Sequence, residues 1–260
     1  MRLQSYHIIP ALQPYIKLIC TMEADGDADN GNIRVLPDTC VELFLNYTGT
    51  PVAVIDHKLH KRSIVTSRMS RPMDVQMRKG AGVMAVCFQP GMAYQFIKIP
   101  MDSLSNTTVA LSDLWGNIAV DMEDRLSACY NNEMRVNLMQ NYLLKQLAAG
   151  KVDPDILNCL NEVQLSGASV SVNQFVKDTG FSQRHLSRKF HEHIGLSPKE
   201  YLRVSRFVSS LNYLKKYPEY SLTEIAYQSG YYDQAHFIRD YKAYAGYTPK
   251  QVLQNDHVLY

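Results

Sequence analysis

One pattern occurs twice between residues 171 and 251, and it constrains the fold more than any other feature of the chain. Each copy runs from a serine through a pair of glycine and aromatic residues to a later aromatic residue, a glycine and a proline. Corresponding positions of the two copies lie 50 or 51 residues apart. A spacing held that closely indicates two copies of one supersecondary unit.

The first copy has the signals of a helix, a tight turn and a second helix. Ser171 and Gln174 have the spacing of a capping box at a helix start. Gly180 suits the turn because glycine tolerates a positive φ. Ser182 is a good cap for the second helix. The copy is therefore predicted to be a helix-turn-helix unit over residues 171–191.

The second copy repeats these signals in the same order. Ser221 and Glu224 have the capping-box spacing, Gly230 ends the first helix, and Asp233 caps the next one. A second helix-turn-helix unit is predicted over residues 221–243.

The segment between the copies, Pro198 to Lys216, is predicted to be one helix. A single rigid helix would fix the spacing of the two units. Their second helices could then enter successive major grooves on one side of a DNA duplex, roughly 34 Å apart.

The outward face of each second helix carries arginine and amide side chains. Arginine bonds guanine bidentately, glutamine bonds adenine, and small apolar groups touch the thymine methyl group. Double-stranded DNA is therefore the expected partner, with base contacts from Arg184, Ser187, Arg188, Gln234, Ala235, His236 and Arg239. Phosphate contacts are expected from Lys189, His191, Lys199 and Lys242.

The distribution of charge supports this assignment. Residues 1–150 contain 14 lysines and arginines against 14 acidic residues, whereas residues 170–250 contain 12 basic against 7 acidic residues. The basic surplus therefore lies on the repeated region, where it would favour contact with phosphates.

The region before the repeat is predicted to be rich in short β-strands. VELFLNY alternates imperfectly, VAVID is expected to form a hairpin with it, and GVMAVCFQPG is an apolar run ended by a Pro-Gly turn. Two helices should follow, at 121–130 and 133–148. The second has a stripe of Met139, Leu143 and Leu147, which either covers the β-domain or forms a dimer contact.

These observations predict an α+β chain of two domains. Residues 1–150 would form a β-rich barrel or sandwich with its two helices, and residues 151–260 an all-α domain. The linker is placed at 148–154, where AAGKVDP contains glycine, aspartate and proline.

Several other classes of protein are not expected. The chain has no run of 18 apolar residues and no apolar N-terminal segment, so we expect neither a membrane span nor secretion. Its five cysteines are odd in number and far apart, which favours free thiols in the cytoplasm. His57 and His60 are interpreted as surface residues. No metal site, cofactor or catalytic group is expected.

The repeated region resembles the DNA-binding domain of the AraC/XylS family of bacterial transcription regulators. GFSQRHLSRKFHEHIGLSPKEYL and IAYQSGYYDQAHFIRDYKAYAGYTP carry the resemblance. The chain departs from the family pattern at Tyr231 and Tyr241, where phenylalanine is usual, and at Ser210, where alanine is usual. The resemblance also implies that Arg206 pairs inside the domain rather than with DNA.

The layout as a whole is similar to AraC-type regulators with a cupin-like N-terminal barrel. LPDTCVELFLNY, VCFQPGMAYQFIKIP and VALSDLWG carry this likeness. It implies a small-molecule effector in the barrel, a homodimer formed by the helices after it, and RNA polymerase as a partner. The effector, its binding residues, and the choice between activation and repression stay open.

Two other hypotheses remain. The N-terminal domain could only dimerise or contact a protein partner, in which case its interior should be packed. It could also be a cupin enzyme with a DNA-binding tail, which would require a metal cluster that the sequence does not show.

Overall fold

The computed structural model describes residues 2–24, 33–67, 69–147, 152–166, 169–255 and 257–259. Within these ranges the N-terminal part consists mainly of strands and the C-terminal part of helices. The predicted α+β class is therefore confirmed. GDADNGN at 26–32 is an acidic stretch whose glycines and asparagines predict a loop, and it lies outside the described residues. Most of the predicted linker at 148–154 also lies outside them.

The larger sheet is antiparallel and forms one wall of the N-terminal domain. Its order is β1 (Arg2–Ser5), β2 (Ile16–Glu23), β9 (Gly82–Phe88), β4 (Val41–Asn46), β7 (Ile64–Ser67) and β10 (Thr108–Ala110). Every residue of β9 is buried, as its unbroken apolar run predicts.

The smaller sheet forms the opposite wall. Its order is β11 (Val258–Leu259), β3 (Ile33–Val35), β8 (Met73–Met77), β5 (Ala53–Ile55) and β6 (Lys58–His60). The hairpin predicted between 41–46 and 52–56 is wrong, because β4 and β5 belong to different sheets. Strand β5 pairs with β6 instead, across Asp56 and His57, which both have positive φ. His60 is buried rather than on the surface.

The last strand joins the two parts of the chain. Val258 and Leu259 pair in parallel with Arg34 and Val35 of β3. A two-residue strand leaves no periodic signal in a sequence, so the simple division into residues 1–150 and 151–260 did not anticipate this pairing. The smaller sheet thus includes residues from both predicted domains.

Helical segments connect the sheets to the C-terminal part. Two 3₁₀ turns, Ala93–Gln95 and Met101–Leu104, precede α1 (Leu111–Trp115), α2 (Asn117–Ser127) and α3 (Asn132–Gln146). Met139 and Leu143 of α3 are fully buried and Leu147 is half-buried. The stripe on this helix therefore covers the β-domain, which removes it as a dimer contact.

Seven helices make up the C-terminal part in the described ranges. They are α4 (Pro154–Ser166), α5 (Val172–Thr179), α6 (Gln183–His193), α7 (Pro198–Lys216), α8 (Leu222–Gln228), α9 (Gln234–Tyr244) and α10 (Pro249–Leu253). One hydrophobic core runs through both parts of the chain, from Leu12 to Val258. None of the described helices has the length and apolar character needed to cross a membrane.

Candidate nucleic-acid interface and the cavity behind it

The first predicted helix-turn-helix unit is present as α5 and α6. Gly180 ends α5 with a φ of 69°, a left-handed conformation that glycine adopts without strain. The Ser182 hydroxyl accepts the His185 amide N–H at 3.3 Å and so caps α6. Only half of the capping box predicted at Ser171 forms, because the Gln174 side chain donates to Asp178 instead.

The second unit is present as α8 and α9. Ser221 and Glu224 form a complete capping box at the start of α8. Gly230 has a φ of 79° in the turn. The Asp233 carboxylate accepts the His236 amide N–H at 2.6 Å and caps α9.

Aromatic packing joins the two helices of the first unit and holds the second unit on the connecting helix. Phe175 and Phe190 stack with ring centroids 5.9 Å apart, which joins α5 to α6. Phe207 of α7 packs edge-on against Tyr241 of α9 at 4.9 Å. Because these rings are fully buried, the opposite faces of α6 and α9 are left to solvent.

The predicted base-reading residues lie mainly on those solvent faces. Arg184 and Arg188 are exposed on α6, and Ser187 between them is half-buried. On α9, Arg239 is exposed, and its Nε donates to the Ala235 carbonyl at 3.3 Å. The two arginine-bearing helices thus share one architecture, a cap, a buried aromatic stripe and an exposed basic face.

Residues at the edge of the exposed face of α9 make more contacts within the protein than the sequence indicates. Gln234 is exposed, and its side-chain oxygen accepts from Thr223 at 3.4 Å. His236 is half-buried, packs edge-on against the Tyr231 ring, and lies 3.8 Å from the Asp240 carboxylate. A structural role for His236 therefore accompanies the expected base contact.

The four expected phosphate contacts differ in their surroundings. Lys199 and Lys242 are exposed, and His191 is half-buried. Lys189 has partners within the protein: its ammonium pairs with the Asp153 carboxylate and lies 5.2 Å from the Phe181 ring centroid. The sequence could not show this contact, since 36 residues separate the partners.

The internal ion pair expected for Arg206 is made by a different arginine. Arg203 donates from Nε to the fully buried Asp240 carboxylate at 2.8 Å. The Nε of Arg206 is buried without a hydrogen-bond partner. The two arginines are one helical turn apart on α7, so the family resemblance implied the correct kind of contact at the wrong position.

A cavity of about 360 Å³ lies between the two sheets and is bounded on one side by α7. Its lining is mostly apolar and includes Met22, Phe44 and Ala85 from the β-domain. Val208 and Leu211 of α7 complete the wall. The helix that carries both helix-turn-helix units therefore also closes this cavity.

Strand β3 lies between the cavity and the C-terminal part, because its side chains alternate between these two sides. Ile33 and Val35 line the cavity. Arg34, between them, forms two hydrogen bonds of 2.8 Å with the Asp74 carboxylate. Its Nη1 also donates to the Ala245 carbonyl at 3.4 Å, and its guanidinium lies 5.4 Å from the Tyr247 ring centroid. Sequence reasoning missed Arg34, since a three-residue strand gives too short a pattern.

Comparison with known protein families also divides the chain into an N-terminal and a C-terminal region. Residues 175–255 match the family model of a helix-turn-helix domain. Residues 4–110 match the model of a domain of unknown function, DUF6597.

Curated relatives are similar to the C-terminal part alone. The transcriptional activator RhaS of Salmonella arizonae is 33% identical over 73 residues, which are 28% of this chain and 26% of RhaS. An uncharacterized HTH-type transcriptional regulator of Staphylococcus aureus is 33% identical over 82 residues, 32% of this chain and 11% of that protein. The chain thus spans about a quarter or less of the length of these relatives.

Among solved structures, an apo variant of ToxT from Vibrio cholerae has a TM-score of 0.48 and 12% identity, covering 91% of this chain and 96% of that one. Wild-type ToxT bound to an unsaturated fatty acid gives the same score and identity over 90% and 92%.

Proposed function

We propose that this chain is a transcription regulator of the AraC type that binds a specific duplex site, because residues 175–255 match a helix-turn-helix domain. The observation that carries the proposal is the pair of capped units, α5–α6 and α8–α9, on the single helix α7. Each unit exposes an arginine-bearing face. Two such faces on one rigid helix suit two successive major grooves.

The proposed base contacts are those of Arg184, Ser187 and Arg188 on α6, and of Gln234, Ala235, His236 and Arg239 on α9. Phosphate contacts are proposed for His191, Lys199 and Lys242, and Lys189 is left out because it pairs with Asp153. Phosphate contacts supply sequence-independent affinity, and base contacts supply the choice of site.

We further propose that a small apolar effector occupies the cavity and alters the α7 units. The cavity supports an effector over a domain that only dimerises, because the latter predicts a packed interior. An occupant would touch Leu211 of α7 directly. It would also touch Ile33 and Val35, which flank the Arg34 contact to Ala245. Two routes thus lead from the cavity to the DNA-binding part.

A transcription regulator acts on RNA polymerase, so we propose that enzyme as a partner, in the cytoplasm. A homodimer is proposed through a surface other than the buried α3 stripe. The names of the curated relatives, a transcriptional activator and a transcriptional regulator, favour this proposal over an enzyme with a DNA-binding tail.

Selection of the purified chain on a random duplex library, at two salt concentrations, tests the proposal. We expect an enriched motif of two elements about one helical turn apart. Binding that is salt-sensitive but shows no motif would mean that base readout requires the effector. Absence of binding at low salt would contradict the proposed function.

A further inference from the structure

Three potential ligand groups meet beside the cavity, at a distance from the proposed DNA-binding faces. The side-chain ligand atoms of Asp38, Cys40 and Cys87 all lie within 4.8 Å of one another. Both thiols are buried. No pattern in the sequence indicates this cluster, because its two cysteines are 47 residues apart.

Sheet pairing explains how the cluster forms. Cys40 directly precedes β4, and Cys87 lies in the adjacent strand β9, where it is opposite Glu42. The turn before β4 adds the third group, since the Asp38 carboxylate accepts the Cys40 amide N–H at 3.1 Å. Thr39 between them has a φ of 64°, a conformation that is costly for a β-branched residue. The backbone therefore holds the carboxylate beside the thiols.

The donor set has the chemistry of a zinc-type site. Thiolate sulfur binds zinc at about 2.3 Å, and tetrahedral geometry then places two sulfurs about 3.8 Å apart. The separations of the three ligand atoms, none above 4.8 Å, exceed that value by no more than about 1 Å. The hydrogen bond from the Cys40 amide to Asp38 is the kind of outer contact that orients a carboxylate ligand.

The surrounding charges suit a bound dication. Two thiolates and one carboxylate carry three negative charges, and a divalent cation leaves a net charge of minus one. The Lys17 side chain lines the same cavity as Asp38 and Cys87, so its ammonium can balance this charge. A coordinating cation deprotonates a thiol outright.

We infer that Asp38, Cys40 and Cys87 form a site for a thiophilic divalent cation of the zinc type. Asp38 and Cys87 both line the cavity, which provides a path of entry and leaves the fourth coordination position for a group inside it. Three protein ligands and one open position are the arrangement of zinc sites that accept an exogenous ligand.

The site lies against the connecting helix. Asp38 and Cys87 line the same cavity as Val208 and Leu211 of α7. A cation bound by these ligands would therefore lie against α7 and act on it. This coupling rests on the proposed function, whereas the cation site does not.

Titration of the reduced full-length chain with Co²⁺ tests the site. Co²⁺ takes the place of Zn²⁺ and gives a near-ultraviolet charge-transfer absorption when thiolates bind it. We expect one equivalent to saturate this absorption and Zn²⁺ to abolish it. Cys40→Ser and Cys87→Ser should each weaken binding at least tenfold, and Asp38→Asn should weaken it without removing the thiolate absorption.

Cys129→Ser and Cys159→Ser are matched controls, because both thiols lie outside the cluster. Both should bind Co²⁺ as the unchanged chain does. A thermal melt of each metal-free variant shows whether it folds. The cobalt spectrum of the unchanged chain tests the site even if a variant does not fold. No thiolate absorption in that chain, or absorption that persists in the Cys40→Ser, Cys87→Ser double variant, would overturn the site.

The coupling to DNA needs a separate measurement. We expect equimolar Zn²⁺ to change the affinity for the selected duplex at least threefold in the unchanged chain and not in Cys87→Ser. Cobalt binding with unchanged DNA affinity would contradict the coupling and leave the site intact. Cobalt binding by a chain that selects no duplex would contradict the proposed function instead.

Discussion

The phenol oxygen of Tyr241 lies 3.0 Å from the hydroxyl oxygen of Ser210, and both side chains are fully buried. Ser210 donates its own proton to the Phe207 carbonyl at 2.7 Å, so the phenol is the donor to Ser210. These are two of the three positions at which the chain departs from the AraC/XylS pattern of phenylalanine and alanine. The two departures compensate each other, because the two hydroxyls bond to one another inside the core.

A double-mutant cycle should reveal this compensation. Ser210→Ala removes the hydroxyl to which the buried phenol donates and should lower the free energy of unfolding by about 1 to 3 kcal/mol. Tyr241→Phe should cost about 1 kcal/mol. The double variant should be less destabilised than the sum of the two, by about 1 kcal/mol or more, as measured by urea unfolding. Strict additivity would contradict the pairing.

The third departure behaves differently and provides a control. The Tyr231 hydroxyl is buried without a hydrogen bond of ordinary geometry. The nearby Asp240 carboxylate adds to the effect of burial in raising the pKa of this phenol, so Tyr231→Phe removes a buried polar group that lies beside a carboxylate without a well-formed hydrogen bond. We expect the free energy of unfolding to stay within about 1 kcal/mol of its original value or to rise. A loss comparable to that of Ser210→Ala would show that the hydroxyl is bonded.

Arg188→Ala and Arg239→Ala should each weaken binding to the selected duplex by about 1 to 3 kcal/mol and relax the choice of base at one position. Both side chains are exposed, so the melting temperature should not change. Fluorescence anisotropy with the selected duplex and with single-base variants of it measures the effect. Arg62→Ala, which changes an exposed arginine of the β-domain, is the matched control. Unchanged affinity in both recognition-helix variants would remove these residues from base readout.

Lys242→Ala should weaken binding about equally on all duplexes and reduce the dependence of affinity on salt by about one counterion. Lys189→Ala should leave that dependence unchanged, because its ammonium pairs with Asp153. Affinity measured at several salt concentrations distinguishes the two. An equal reduction in both variants would show that Lys189 leaves Asp153 when DNA binds.

Arg34→Gln should make stability less sensitive to acid. Hydrogen bonds from Arg34 lower the pKa of the Asp74 carboxyl below its ordinary value, against the effect of burial. A lowered folded-state pKa gives stability that is present above the unfolded pKa, about 3.9, and lost as the pH falls through the folded value. The unchanged chain should therefore lose more stability than Arg34→Gln between about pH 5 and pH 3, as measured by urea unfolding across that range.

The same variant tests the contact between the two parts of the chain. Losing the bond to the Ala245 carbonyl should speed amide hydrogen exchange around residues 245–247 and in β3. Exchange in β9 should stay the same. Equal exchange in the variant and the unchanged chain would show that the Arg34 contact adds nothing to the β3–β11 pairing and the shared hydrophobic core.

Ala85→Leu should block the cavity. Ala85 lines it from β9, and the added atoms would occupy part of its volume. Apolar compounds that raise the melting temperature of the unchanged chain should not raise that of the variant. Its DNA affinity without a ligand should be unchanged. Compounds that stabilise both proteins equally would bind elsewhere.

The sequence by itself determined the features that depend on near neighbours. The cap at Ser182, the turns at Gly180 and Gly230, and the cap at Asp233 all involve groups within a few residues of each other. The repeat at 50 or 51 residues then defined two units and one connecting helix, and the exposed faces of Arg188 and Arg239 followed from helical periodicity.

Only the tertiary structure decided the contacts between distant segments. Four such contacts depend on how sheets and helices pack. They are the β3–β11 pairing, the ion pair of Asp240 with Arg203 rather than Arg206, the Lys189 contact with Asp153, and the proximity of Cys40 to Cys87. Short strands carry little periodic signal in a sequence. Two residues one helical turn apart lie only a few ångströms from each other, so either could reach the same partner. Only the packing of the elements determines which contact forms.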